Sequence, residues 1–178
     1  MYLNEPVFVG SIKDLPEFDE IFLKCNADLK SITGDIFTKQ DIQELKQNLK
    51  SKDDQFFFAG NIATLDTEVY CSSLKSLDYE ARNIFVDGKW IDGSTYRHTQ
   101  KRKRERLSLE NKEHKEIIDF AQECIDIYNP FPVTVIDVGM SWEGLKCIEY
   151  NTFNGSGWYE CDYEKIVQSV SNWVIENA

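Results

Sequence analysis

No stretch of this 178-residue chain approaches the ~20 consecutive apolar residues that a membrane-spanning helix needs. Basic charge is also short: 20 Lys and Arg stand against 31 Asp and Glu, a net charge of −11. Nonspecific nucleic-acid binders show the opposite balance, so nucleic acid is not expected as a partner. The deficit fits ordinary solubility, or an acidic decoy that inhibits a nucleic-acid enzyme by imitating its substrate. Histidine is nearly missing. His98 and His114 lie at no ligand spacing, which argues against a zinc site. There is no CxxC pair. The cysteines (Cys25, Cys71, Cys124, Cys147 and Cys161) are odd in number and scattered, and read as reduced thiols of a cytoplasmic protein. The opening Met1-Tyr2-Leu3-Asn4-Glu5-Pro6 lacks the basic-then-apolar pattern of a secretory signal. Repeats and low-complexity linkers are absent. One domain over 1–178, or one domain with two lobes, is expected, with 42% hydrophobic residues to build a core.

What is present reads as alternating strands and helices. Pro6–Val9 and Ile21–Cys25 are short strand signals, and Asn26–Gly34 is a polar loop ending in glycine. Thr38 stands where an N-cap belongs, three residues before Asp41, and Ile42, Leu45 and Leu49 follow at helical spacing. Phe56–Phe58 and Val69–Cys71 are further strands. Asp87-Gly88, between two apolar segments, predicts a tight hairpin because both positions tolerate positive φ. A helix is expected over Ser108–Tyr128, with Ile117, Ala121, Cys124 and Tyr128 on one face. Asp162 is expected to cap a last helix carrying Ile166, Val170 and Trp173 or Val174. Several links are hairpin-like, so the fold class is α+β with at least partly antiparallel sheets. The run Lys101-Arg102-Lys103-Arg104-Glu105-Arg106 reads either as a solvated stretch entering the helix or as a phosphate-contacting patch.

The most informative stretch runs from Val133 to Tyr159. Alternation puts Val133, Val135 and Asp137 on one face of a strand, and Leu145, Cys147, Glu149 and Asn151 on one face of the next. A hairpin with its apex near Glu143 sets Asp137 nearly opposite Glu149, with Asn151 one step along. Two carboxylates ~4 Å apart repel by roughly 4 kcal/mol at an effective dielectric of ~20. A shared proton, a basic side chain or a cation would relieve that, and two carboxylates with an amide supply oxygen ligands of the kind Mg²⁺ prefers. If the pair stands empty, removing one carboxylate is expected to leave the fold level or slightly more stable. A solvated hairpin face is the plainer reading. Asn154-Gly155-Ser156-Gly157 then allows close approach of a ligand, or is a simple turn.

In order, "FLKCNADLKSITG", "YEARNIFVDGKWIDGSTYR" and "IDVG…CIEYNTFNGSGWY" resemble the ATP-grasp superfamily, and within it the clade named for one arginine and two lysines. The resemblance implies a single ATP-grasp domain with a smaller lobe over about 1–73, a larger lobe over about 74–178, and nucleotide between them. It implies that Asp137, Glu149 and Asn151 hold Mg²⁺ under ATP. Lys24 and Lys30 would be the two lysines, the first on the α- or β-phosphate and the second in a loop closing on the triphosphate. Glu80 and Arg82 would line the site, with Arg82 on the transferred phosphoryl group. Cys71, Ser72 and Ser73, within Tyr70–Leu74, would lie along the adenine. Arg82 and Lys30 would be the catalytic residues, and Lys24→Ala and Arg82→Ala are expected to leave the fold intact. The implied activity is an ATP- and Mg²⁺-dependent ligase that joins a carboxylate to an amine through an acyl phosphate, on small-molecule or peptide substrates. The sequence departs from the clade at Cys25, where proline is usual, and begins almost directly at the nucleotide-binding part. A partner protein or a second copy of the chain is therefore expected to complete the substrate site. A remnant that binds nucleotide or a partner without turnover is the alternative.

Overall fold

Short strands carrying one apolar face cannot bury it alone, and the stable outcome is several strands joined into a sheet with a helix laid on it. The computed structural model describes residues 6–25, 34–50, 56–58, 61–98 and 103–178. It divides the chain into two compact units between Lys75 and Ser76. Among the described residues, the sheets of both units are antiparallel. The architecture is α+β, as expected. No helix among the described residues is long and apolar enough to cross a membrane.

The first unit carries a four-stranded sheet. It uses β1 (Pro6–Ser11), β2 (Glu20–Cys25), β3 (Asp35–Thr38) and β6 (Glu68–Ser72), in the order β1-β6-β2-β3. Two more short strands, β4 (Phe56–Phe58) and β5 (Asn61–Ala63), pair with each other. The helix α1 (Lys39–Asn48) starts as its sequence predicts. The Thr38 side chain accepts from the Asp41 amide, and the Asp41 carboxylate accepts from the Thr38 amide at 2.8 Å. Its inward residues Ile42 and Leu45, with Leu49 just beyond, join Ile21, Leu23, Phe37, Val69 and Cys71 in one core.

The second unit is a four-stranded sheet in the order β10-β9-β7-β8. Its strands are β7 (Tyr79–Val86), β8 (Lys89–His98), β9 (Val133–Ser141) and β10 (Gly144–Thr152). Asp87 and Gly88 turn β7 into β8 with φ of 50° and 71°, the mirror-image turn expected of this dipeptide. The helix α2 (Lys112–Ile127) covers one face. Its Ile117, Ile118, Ala121, Cys124 and Ile125 pack on Tyr79, Ala81, Phe85, Ile136, Val138 and Cys147. The opposite face is covered in part by α3 (Tyr163–Asn177), whose Ile166 meets Ile84, Val135 and Cys161. Asp162 caps α3 as expected, its carboxylate accepting from the Lys165 amide at 3.0 Å.

Three sequence readings need correction. The helix α2 begins at its cap Asn111, not at Ser108. The Ser108 hydroxyl takes the Glu110 amide and the Ser108 amide donates to His114 Nδ1, and these local bonds compete with a helical turn. Tyr128 does not continue the buried face, because it is an extended C-cap, 55% exposed, set edge-on to Tyr150. Lastly, Leu145 and Cys147 do not share a face with Glu149 and Asn151. Cys147 pairs with Val138 and Glu149 with Asp137, so Ile148 is an extra residue, a β-bulge. Leu145 and Cys147 turn toward α2, while Glu149 and Asn151 turn to the other face.

Glycine matters at one further point. A Cβ at Gly93 would meet Leu107 Cδ1 at 2.8 Å, the Arg82 carbonyl at 2.9 Å and Asn83 Oδ1 at 3.0 Å. Gly93→Ala should therefore cost ~2 kcal/mol or more through overpacking. Gly88→Ala, strained only by its positive φ, should cost about 1 kcal/mol. Urea unfolding midpoints of the two variants test this order, and a Gly93→Ala protein as stable as the parent contradicts it.

Candidate active site

One row of side chains crosses three strands of the second unit. Arg82 in β7 is the register partner of Asp137 in β9, and Asp137 is the partner of Glu149 in β10. Direct partners project from the same face. That face is the one not covered by α2, and the bulge at Ile148 is what brings Glu149 onto it. Asn151, two residues on, reaches back. Its Nδ2 donates to Glu149 Oε1 at 3.0 Å and approaches Asp137 Oδ2 at 3.4 Å.

Asp137 is fully buried, and Arg82 meets it as a fork. Nε donates to Oδ1 at 2.8 Å and an Nη to Oδ2 at 2.7 Å, while the other Nη donates to the Gly157 carbonyl at 3.0 Å. Such bidentate, charge-assisted contacts are among the strongest available to side chains. Burial pushes the Asp137 carboxyl up to about 6. Arg82 pulls it back down, and Glu149 and Glu80 add repulsion. Burial works against the Arg82 charge, but Asp137 outweighs it and holds the guanidinium charged. At neutral pH the two form an ion pair. Of the three ways to relieve the repulsion between Asp137 and Glu149, the fold supplies the basic side chain.

Glu80, two residues before Arg82, does not pair with it. Its carboxylate accepts from the Tyr96 hydroxyl at 2.6 Å and from Arg97 at 3.0 Å. A second bulge explains this. Glu80 pairs with Arg97 and Ala81 with Thr95, so Tyr96 is extra, and both Tyr96 and Arg97 reach one carboxylate. Burial first, then the charges of Asp137 and Glu80, hold the Tyr96 phenol far above its ordinary range, so it stays a donor. The Tyr96 ring stacks on Tyr159 at 4.8 Å, and the Arg82 guanidinium lies over both rings, at 5.5 and 5.2 Å. Tyr159 has a φ of 51°, a conformation that costs a bulky residue ~1–2 kcal/mol. Ser94, which accepts from the Glu160 amide, and Asp92, which accepts from the Asp162 amide, hold the surrounding loop.

Lys24, Cys71, Ser72 and Ser73 lie in the first unit. Lys24 in β2 sets its Nζ 5.5 Å over the ring of Tyr70, its register partner in β6. Cys71 is a core residue, and burial pushes its thiol up to about 11, so it is neutral and inert. Ser72 is also buried, and both residues sit in a strand paired on each side. Ser73, just past the strand, is exposed. Lys30 lies outside the described residues. In Asn154–Gly157 neither glycine has positive φ, and an added Cβ would meet nothing nearer than 3.8 Å; the segment contributes the Gly157 carbonyl that accepts from Arg82. The described part of the basic run does not enter α2. It lies along β8, with Thr95 donating to the Glu105 carbonyl and Leu107 to the Gly93 carbonyl. There Arg106 pairs with Asp92 and Asp162.

Tyr96, Arg97 and Tyr159 belong to the site but escaped sequence reading. A bulge and a left-handed tyrosine leave no periodic signal. No three His, Cys, Asp or Glu side chains converge as a metal cluster among the described residues. The groups that converge are instead two carboxylates and one amide. That set still fits a hard divalent cation. Asn151 now offers its NH₂ to both carboxylates, and turning the amide over puts its oxygen in the same place.

A family model of the ATP-grasp domain, family 3 of the clade named for one arginine and two lysines, matches residues 3–170. The chain belongs to this ATP-grasp family. Comparison with curated protein sequences gave no significant match. Among solved structures, D-alanine–D-alanine ligase from Bacillus anthracis complexed with ATP superposes with a TM-score of 0.60 at 16% identity, over 97% of this chain and 58% of that one. The macrocyclase MdnC from Microcystis aeruginosa, bound with its precursor peptide MdnA, gives 0.50 at 14% identity, over 89% and 48%. The ATP-grasp ligase PsnB complexed with a minimal precursor gives 0.50 at 13%, over 87% and 48%. These likenesses establish the ATP-grasp fold. The chain spans about three-fifths of the first structure and about half of the other two.

The ion pair reverses two expectations about stability. Side-chain exposure is 10% for Arg82 and 1% for Asp137, so deleting either partner strands a buried charge, which costs ~3 kcal/mol or more. Relief of repulsion from the exposed Glu149 is smaller, because water screens it. Asp137→Asn and Arg82→Ala should therefore both destabilise the protein. Denaturant unfolding checks this, and an Asp137→Asn variant as stable as the parent overturns it. Separately, a carbon-13 carboxyl titration should place the Asp137 midpoint near 6, where a midpoint below ~4, the ordinary range, would show that burial is not the governing influence.

Proposed function

We propose that this chain is an ATP- and Mg²⁺-dependent ligase that joins a carboxylate to an amine through an acyl phosphate. The observation that carries the reading is the row Arg82–Asp137–Glu149 with Asn151, on a domain of the ATP-grasp family. A carboxylate oxygen would attack the γ-phosphorus of ATP, its bond to the β-bridging oxygen would break, and ADP would leave. The amine nitrogen would then attack the acyl carbon and expel phosphate, which leaves with the proton lost by the amine, giving the amide. Substrates of both small-molecule and peptide kind are in keeping with a D-alanine ligase and a peptide-bound macrocyclase among the fold's neighbours.

The protein's part is positioning and charge. Arg82 has five N–H donors. Three are spent on Asp137 and Gly157, which leaves one on each terminal nitrogen to meet oxygens of the transferred phosphoryl group. Because its other donors are fixed, Arg82 is pre-oriented. Asp137, Glu149 and Asn151 would hold Mg²⁺, which neutralises charge on the β- and γ-phosphates. Lys24, and Lys30 from outside the described residues, would meet the triphosphate as flexible point charges. Glu80, fixed by Tyr96 and Arg97, would bind nucleotide. The adenine assignment of Cys71, Ser72 and Ser73 narrows to backbone groups near the exposed Ser73. A substrate wall supplied by a partner or a second copy remains part of the proposal, as does a cytoplasmic location.

The first test is thermal shift with Mg·ATP. Ligand at 100 times its Kd should stabilise by ~2.7 kcal/mol, and Lys24→Ala should weaken the response. Flat curves with ATP and ADP to millimolar concentration would sink the reading. A proton competes with the cation for Asp137, so affinity for Mg·ATP should fall as the pH drops through about 6. ADP release that requires both a carboxylate and an amine identifies a ligase. Binding without release under every substrate combination assigns the alternative, a nucleotide-binding module without turnover. Salt-sensitive capture of a basic enzyme with indifference to ATP would assign the acidic inhibitor. Arg82→Lys, which keeps a charge beside Asp137, should lower kcat far more than it weakens ATP binding.

A further inference from the structure

The Tyr159 ring carries a second guanidinium. Arg104 sets its Cζ 5.0 Å from the centroid, while Arg82 lies 5.2 Å from the same centroid. The two arginines differ in how they are committed. Arg82 is tied to Asp137 and Gly157. Arg106, next but one along the chain, is tied to Asp92 and Asp162. Arg104 has no carboxylate partner among the described residues, and its side chain is exposed. Its placement follows from the backbone. Ser94 bridges to Arg106, and Thr95 donates to the Glu105 carbonyl, so the next position outward sets Arg104 beside Tyr96. Arg106, across from Ser94 and Arg82, marks the face on which this row projects.

A guanidinium that lies on an aromatic face keeps its in-plane N–H fork free for an oxyanion. The platform beneath it is built with some strain. Tyr159 is held at a φ of 51° by its stack on Tyr96 and by the bond from the Glu160 amide to Ser94. In a chain of net charge −11, anions are repelled unless local cations receive them.

We infer that Arg104, backed by Tyr159, is a recognition residue for an anionic group on the substrate, a carboxylate, held beside the Arg82 at which phosphoryl transfer takes place. This deepens the proposed ligase function and rests on it. A planar carboxylate matches the planar fork with two parallel bonds, which a tetrahedral phosphoryl group or a neutral amide does less well. The group recognised is distinct from the one activated, so the preferred substrates carry two acidic groups, or are amino acids and peptides whose terminal carboxylate is read while another reacts.

The experiment titrates free amino acids and dipeptides, each beside its C-terminal amide, into full-length protein with and without Mg·AMP-PNP, using calorimetry. Wild type should prefer at least one acid over its amide by about 10-fold, the effect of one charged hydrogen-bonded contact. Arg104→Gln should bring that ratio to within about twofold while leaving Mg·AMP-PNP affinity unchanged, and Arg104→Lys should fall between. Tyr159→Leu, which removes the platform, should weaken the preference in the same direction. An undiminished preference in Arg104→Gln overturns the inference, and so does wild-type protein that binds nucleotide but no acid probe. Loss of nucleotide affinity in Arg104→Gln reassigns the residue to phosphate and also overturns it. Failure of wild type to bind nucleotide at all counts against the ligase reading instead, and the nucleotide-free acid-over-amide ratio then judges Arg104 by itself.

Discussion

The ion pair between Arg82 and Asp137 is the constraint on which the second unit depends. It spans two neighbouring strands at the same register position, and neither partner can leave without exposing the other to a medium that cannot solvate it. The surrounding features follow from the need to hold that guanidinium. The Gly157 carbonyl takes a third donor, and the tyrosine pair walls the group in. Glu80 is kept from competing because Tyr96 and Arg97 occupy it. Buried ion pairs are weak evidence of stability for its own sake. What this pair does visibly is fix one orientation of the guanidinium, since three of its donors are held.

Much of the scaffold was legible in the amino-acid order. The capping box at Thr38 and Asp41, the Asp87-Gly88 turn and the Asp162 cap are local signals with local causes, and each forms as its chemistry requires. Hairpin arithmetic also placed Asp137 opposite Glu149. Where reading failed, the cause was a residue that breaks a period. Strict alternation through β10 assigns Cys147 and Glu149 to one face, and the actual strand separates them. Counted back from the Asp87-Gly88 turn, Arg82 falls across from Gly93, and the extra residue Ile91 is what moves Ser94, and with it Tyr96, onto the Arg82 face. A helix start at Ser108 is undone by side-chain bonds to His114 and within the Ser108 turn that no periodicity reports.

The site thus divides into two kinds of residue. Asp137, Glu149, Asn151 and Arg82 stand out because charged and amide groups interrupt apolar strands. Tyr96, Arg97, Tyr159 and Arg104 arrive through bulges, a left-handed backbone and an edge segment. Their positions emerge only when strands are laid side by side. The second group surrounds the first, so the walls of the site are less visible in one dimension than its centre.

The bulge at Ile148 carries a consequence for how β10 tolerates changes of length during evolution. Loss of the Ile148 codon would join Cys147 directly to Glu149, and plain alternation would then put those two on opposite faces, as they already are. Glu149 would stay across from Asp137, so the strand can shed this one residue without disturbing the acidic row. Loss of the Tyr150 codon has no such outlet. If the bulge persisted, Asn151 would swing toward α2; if the bulge were absorbed, Glu149 would swing there instead. Two deletions of equal size, two residues apart, therefore have opposite fates. In an alignment of relatives a one-residue gap at position 148 is compatible with an intact site, and the same gap drawn at position 150 marks either a lost site or a misplaced gap.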